Sequence, residues 1–134
     1  MKILLDTNVL ASATATRGLC ADVVLAVLAE HELVVSPQIL QELQRVLDEK
    51  FSLPAALIQN VLRLFRQDAI MAKVEKLPKV RLKDKDDLGI LAAAVSAHAD
   101  VIVTGDKELQ KLGHIQKIQI LSPRQFWEML AEPY

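Results

Sequence analysis

Four acidic residues stand where carboxylates can act together. Asp6 directly follows the apolar run Ile3-Leu4-Leu5, and Asp106 follows Val101-Ile102-Val103 after the link Thr104-Gly105. In an open parallel sheet, ligands bind in the crevice beyond the carboxyl ends of the strands, so if these two runs are neighbours both carboxylates face one crevice. Asp87 lies four residues before Leu91 and eight before Val95, which on a helix puts it in the first turn and on their apolar stripe, pointing inward. Glu42 falls about 60° from Ile39, at the margin of the face formed by Ile39, Leu40, Leu43, Val46 and Leu47, whereas Asp48 points to solvent. Each acid also has a plainer reading. Asp6, Asp84, Asp86 and Asp106 can cap helices, and Glu42 can be a solvated helix residue. Capping leaves convergence unexplained, because gathered carboxylates repel by up to about 4 kcal/mol per pair at 4 Å and an effective dielectric near 20. A cation among them is implied. With one cysteine, Cys20, and with His31, His98 and His114 scattered in what read as surface or loop positions, only oxygen donors are on offer. The implied ion is hard, Mg²⁺ or Mn²⁺ rather than zinc.

The elements that must position these acids alternate. Ile3-Leu4-Leu5, Leu33-Val34-Val35, Val101-Ile102-Val103 and Ile118-Gln119-Ile120-Leu121 have strand length and aliphatic composition. Helical patterns cover 20–30, 37–48, 54–68, 87–98, a short stretch after Asp106, and 123–130. Ser36-Pro37 and Ser122-Pro123 place a capping hydroxyl before a proline, and Ser122 with Gln125 makes a capping box. Nearly continuous apolar strands alternating with helices predict a parallel sheet covered on both faces, an α/β sandwich in a single domain, 1–134. About sixty residues separate the second and third strands, where Val74 or Val80 is expected to seed an edge strand. The stripe Leu57, Val61, Leu64 and Phe65 is expected in the core, and Phe126, Trp127 and Leu130 on the sheet or against another chain.

Composition narrows the partners. The 134 residues are 51% hydrophobic, and 17 acids against 16 bases leave a net charge of −1, so no chain-wide pull toward nucleic acid or acidic lipid exists. A lone cysteine fits a reducing cytoplasm. Asp6 interrupts the first apolar stretch, which a signal core tolerates poorly even with Ala13-Thr14-Ala15 resembling a cleavage site. The longest uncharged runs, such as 88–99, fall short of the roughly 18 residues a membrane span needs. A cytoplasmic protein with no membrane segment is expected. The charge is unevenly spread: 63–85 carries eight basic residues against Asp68, Glu75 and Asp84, a balance of +5, and the rest of the chain is −6.

Four motifs carry a family resemblance. Leu4-Leu5-Asp6-Thr7-Asn8-Val9-Leu10, Ser36-Pro37 through Glu42-Leu43, Asp84-Lys85-Asp86-Asp87 with Ile90-Leu91-Ala92, and Val103-Thr104-Gly105-Asp106-Lys107-Glu108-Leu109 together resemble the acidic elements of the PIN domain. That domain is the nuclease fold of VapC-type toxins in bacterial toxin–antitoxin pairs. Ile120-Leu121-Ser122-Pro123 and Phe126 look like the branch of the family assigned as toxin components. The resemblance implies a three-layer α/β/α sandwich with a central parallel sheet of four or five strands and an Mg²⁺- or Mn²⁺-dependent endoribonuclease. It puts Asp6, Glu42, Asp87 and Asp106 in the catalytic carboxylate positions. Asp6, Asp87 and Asp106 are the expected metal residues, with Asp6 and Asp87 holding the principal ion and Asp106 with Glu42 completing its outer shell or a weaker second site. Asn8, Thr104, Asp84 and Asp86 are expected to support them, Asn8 and Thr104 by orienting a water or phosphate. Lys85 stands where many relatives have proline, and Asp86 is the alternative to Asp87 as the third acid, helical phase favouring Asp87. The family also implies a homodimer and a small antitoxin whose tail blocks the crevice.

RNA as substrate needs local positive charge, which Lys79, Arg81, Lys83 and Lys85 supply beside the third acidic cluster. Phe65 is the only aromatic nearby, so base stacking is poorly provided. The alternative is a non-catalytic PIN-like interaction or RNA-binding module, and DNA cleavage in the manner of flap-type relatives is a lesser one. A phosphorelay receiver would need a lysine after the last strand, where Ser122-Pro123 stands and Lys117 lies on the wrong side. A haloacid-dehalogenase-like phosphatase would need a second aspartate where Asn8 stands.

Overall fold

Three short, uninterrupted aliphatic runs make the centre of the sheet. In the computed structural model, which describes residues 1–132, β1 (Lys2–Leu5), β2 (Glu32–Val35) and β4 (Val101–Val103) lie side by side and parallel. Ile3, Leu4 and Leu5, Leu33 to Val35, and Val101 to Val103 are all buried. Successive strand side chains point to opposite faces, so both faces of this sheet are covered by helices.

The remaining strands are β3 (Ile70–Met71), β5 (His114–Ile115) and β6 (Ile118–Leu121), and the order across the sheet is β3-β2-β1-β4-β6-β5. All neighbours pair parallel except β5 with β6. Six strands replace the four or five expected. The edge strand forms at Ile70-Met71 rather than at Val74 or Val80, because Ile70 and Met71 are the residues in register with Val34 and Val35 of β2. β5 arises from a hairpin whose turn residue Gln116 has φ 52°, a left-handed conformation for which the sequence carries no glycine or asparagine signal.

Among the described residues six helices connect strands, α1 (Thr7–Ala15), α2 (Leu19–Glu30), α3 (Pro37–Glu49), α4 (Ala55–Asp68), α5 (Lys85–Ser96) and α6 (Lys107–Leu112), and α7 (Pro123–Ala131) follows the last strand. The capping signals operate as expected. Ser36 Oγ accepts from the Ile39 N–H at 3.2 Å, and Ser122 and Gln125 form the reciprocal capping box. α1 was not among the expected helices; its small residues carry no wide apolar stripe, and its start is set by Asp6 as N-cap. On α4 the buried face is Ile58, Leu62 and Phe65, so the expected stripe is corrected: Leu57 and Leu64 are exposed, and Val61 is half-buried. On α7 Phe126 is buried and Trp127 is exposed. Among the described residues no single helix is long and apolar enough to cross a membrane.

The path of the chain locates the site. From β1 it moves outward through β2 to β3, then returns across the sheet to β4 and continues the other way. The connections therefore diverge between β1 and β4, which opens a crevice at their carboxyl ends.

Candidate active site

Asp6 and Asp106 stand at that divergence. The Asp6 N–H donates to the Val103 carbonyl at 3.0 Å, which extends the β1–β4 ladder by one step and fixes the first acid at the strand end. A cleft of about 180 Å³ lies above, lined by Asp6, Thr7, Asn8, Glu42, Arg45, Asp84, Asp86, Asp87 and Asp106 among others. All four expected catalytic acids thus share one cleft, with supporting Asn8, Asp84 and Asp86 on its wall. Among the described residues no three of these side chains are drawn into a ready-made metal cage.

Capping and convergence coexist. Asp6 accepts from the Thr7 N–H at 2.6 Å as N-cap of α1, Asp106 from the Leu109 N–H at 3.0 Å as N-cap of α6, and Asp84 from the Asp86 N–H at 2.9 Å as N-cap of α5. Each cap uses one carboxylate oxygen and leaves lone pairs for the cleft. Asp6 Oδ2 accepts from Thr104 Oγ1 at 2.7 Å, and the same hydroxyl accepts from the Asp106 N–H at 3.0 Å. Thr104 is fully buried. Its hydroxyl is therefore spent on joining the strand-end acids and is not open to a water or phosphate; its support runs through Asp6.

Glu42 is held by both oxygens. Thr7 Oγ1 donates to Oε2 at 3.1 Å and Gln38 Nε2 to Oε1 at 3.1 Å. Asp87 differs: it is 6% exposed, and its Oδ2 is buried with no hydrogen-bond partner. Asp86 is exposed on the same helical turn, so helical phase separates the two as expected.

Burial, with repulsion added, makes Asp87 and Asp6 reluctant to ionise. Desolvation, then the charges of Asp106, Asp84, Asp6 and Glu108, push the Asp87 carboxyl up to about 7. Burial likewise raises Asp6, against the hydrogen bonds from Thr104 and Thr7, and Glu42 and Asp106 add to the rise. A divalent cation fits this arrangement. The donors are hard oxygens, the orphaned Asp87 Oδ2 lacks a positive partner, and the charges disfavour one another without one. Asp6, Asp87 and Asp106 are the side chains that could hold it, once drawn closer together than they stand here.

Of the four expected basic residues, Lys83 lines an opening shared with the acids. Lys79, Arg81, Lys83 and Lys85 are exposed, while Val80 and Leu82 between them pack on the core. The segment is tied at its ends by the bond from Ser96 Oγ to the Lys73 carbonyl and by that from the Lys83 N–H to Glu108 Oε1 at 2.9 Å. A second opening of about 440 Å³ adjoins the first, sharing Asp84, Asp87 and Asp106 and adding Lys83, Lys107, Glu108 and Lys111. Lys107 and Lys111 were not anticipated, although their spacing of four beside Asp106 was available as a signal. Gln38, one helical turn before Glu42, was missed in the same way, and Thr7 enters the sequence reading only as part of the first motif.

In open α/β domains the crevice at the divergence of the sheet is where ligands bind, and here acids gather in it. The sequence pattern of the PIN domain matches residues 2–108, and the chain belongs to that family. Solved structures agree in fold. VapBC2 from Rickettsia felis, bound to a DNA fragment from its promoter, superposes with a TM-score of 0.64 at 18% identity, over 90% of this chain and 97% of that one. VapBC-1 from nontypeable Haemophilus influenzae gives a TM-score of 0.64 at 21% identity, over 92% of this chain and 99% of the other. No curated protein matches the chain.

Proposed function

We propose that this PIN domain is an Mg²⁺- or Mn²⁺-dependent endoribonuclease, the toxin of a type II toxin–antitoxin pair acting in the cytoplasm. The observation that carries the reading is the convergence of Asp6, Glu42, Asp87 and Asp106 on one cleft in which Asp87 Oδ2 is buried and unpartnered. Asp6 and Asp87 hold the principal ion. Asp106 and Glu42 serve its outer shell, which suits a Glu42 whose oxygens already accept from Thr7 and Gln38. The chemistry such an ion supplies is charge, which lowers the pKa of an attacking water and offsets the negative charge growing on the phosphate.

The chain's own residues do the rest. Thr104 holds Asp6 and the Asp106 backbone in one geometry, so two acids from different strands act as a unit. Lys83, Lys107 and Lys111 border the opening and draw the phosphate backbone toward it, with Lys79, Arg81 and Lys85 extending the positive approach. The fold likeness to VapBC2 and VapBC-1 supports a small antitoxin as partner, and a homodimer rests on the family resemblance alone.

The test is cleavage of mixed single-stranded RNA by purified protein in Mg²⁺, Mn²⁺ or EDTA, beside an Asp6→Asn, Asp106→Asn double variant. Cutting that needs the ion and disappears in the variant is expected. Cutting that persists in EDTA or in the variant overturns the assignment, and absence of both cutting and ion binding favours the non-catalytic module.

A further inference from the structure

We propose that Gln38 is a positioning residue that clamps Glu42 toward α5, and that position 89 is glycine to make room for the clamp. The inference rests on the reading that Glu42 serves the ion-binding cleft. Gln38 occupies the first turn of α3, one turn before Glu42. Its Nε2 donates to Glu42 Oε1 at 3.1 Å and to the Asp86 carbonyl, in the first turn of α5, at 3.4 Å. Both partners are acceptors, so the amide must turn its nitrogen toward them. One side chain therefore joins the second acid to the helix that carries the third.

Gly89 sits directly beneath that amide. A Cβ there would overlap Gln38 Oε1 and lie 2.8 and 2.9 Å from Gln38 Cδ and Nε2, and these are its three nearest neighbours. All three contacts are with the end of the Gln38 side chain, so an added methyl would displace that amide rather than the backbone. Gly89 lies within α5, and its φ is not among the positive ones. Glycine weakens a helix interior relative to alanine, and clearance for the Gln38 amide is what offsets that cost in this proposal. Glu42 lies half-buried at the edge of its helix face, where Thr7 holds only Oε2, so Gln38 is the side chain that fixes Oε1 toward α5.

The experiment measures Mn²⁺ affinity by electron paramagnetic resonance, and thermal midpoints in EDTA, for wild type, Q38A, Q38M, G89A and Q38A/G89A. Loss of the tether should weaken Mn²⁺ binding about tenfold in Q38A, in near-isosteric Q38M and in G89A. Q38A/G89A should match Q38A, because no side chain remains to be displaced. In EDTA the added methyl should raise the midpoint in the Q38A background and raise it less, or lower it, in wild type. Unchanged affinity in Q38M assigns Gln38 to packing and overturns the positioning role. Equal losses from G89A in both backgrounds overturn the clearance role. A wild type that takes up no Mn²⁺ overturns the ion reading of the cleft itself and with it the positioning role, while the midpoints in EDTA still decide the clearance.

Discussion

At the scale of single residues, Asp87 concentrates the conflict in the cleft. Its carboxyl is pushed up to about 7 when folded, against 3.8 as the ordinary value. Between those values the folded chain holds a proton that the unfolded chain has released, so stability falls as pH rises through this window and levels off above it. The penalty reaches at most ~4 kcal/mol for three pH units, and raised Asp6 adds to it with the same sign. In EDTA the thermal midpoint should therefore drop from pH 5 to pH 8. Saturating Mg²⁺, which favours the ionised acids, should flatten the drop; a midpoint that rises with pH in EDTA contradicts the burial of Asp87. Asp87→Asn removes the charge and should stabilise the metal-free protein by about 2 kcal/mol at pH 8. Cleavage should fall by about 10²-fold or more in the same variant. A stabilised, inactive protein separates a functional acid from a structural one, which would destabilise when replaced.

At the scale of elements, what could be read in advance depended on whether a segment's pattern or its partner decided its structure. β1, β2, β4 and β6 announce themselves as aliphatic runs, and because Asp6 and Asp106 close two of them, half of the cleft was legible from order alone. β3 is two residues long and exists by pairing with β2, which no local pattern encodes. α4 offers two overlapping apolar registers, and packing chose Ile58, Leu62 and Phe65 over Leu57 and Leu64. The bonds of Gln38 show the same limit within the site, since reaching Asp86 spans 48 positions of sequence. The β5–β6 hairpin gives a test of this distinction. Gln116 holds φ 52°, which costs an L-residue roughly 1–2 kcal/mol that glycine avoids. Gln116→Gly should raise unfolding free energy in urea by about 1 kcal/mol. A loss instead would mean that the side chain stabilises the turn by more than its backbone costs.

At the scale of the whole molecule, the charge of −1 conceals a division of labour. The basic stretch 63–85 leads into an acidic cleft, and an anionic polymer meets these fields in opposite senses. The lysines attract phosphate from a distance, but the carboxylates repel it at the last step unless a cation intervenes. Association and catalysis should thus respond differently to the ion and to salt. Replacing Lys79, Arg81 and Lys83 together with alanine should weaken RNA binding and reduce the slope of log K against log salt by about 2, near 0.7 for each lost contact with a single strand. Lys107→Ala with Lys111→Ala, at the mouth of the cleft, should lower the slope by less and the cleavage rate at saturating RNA by more, because these side chains border Asp106 itself. Filter binding across a salt series and single-turnover cleavage separate the two effects. If the triple variant leaves the slope unchanged, Lys79, Arg81 and Lys83 are solvated surface residues, and the positive field of the proposed RNA site must come from other cations, among them Lys107, Lys111 and Arg45.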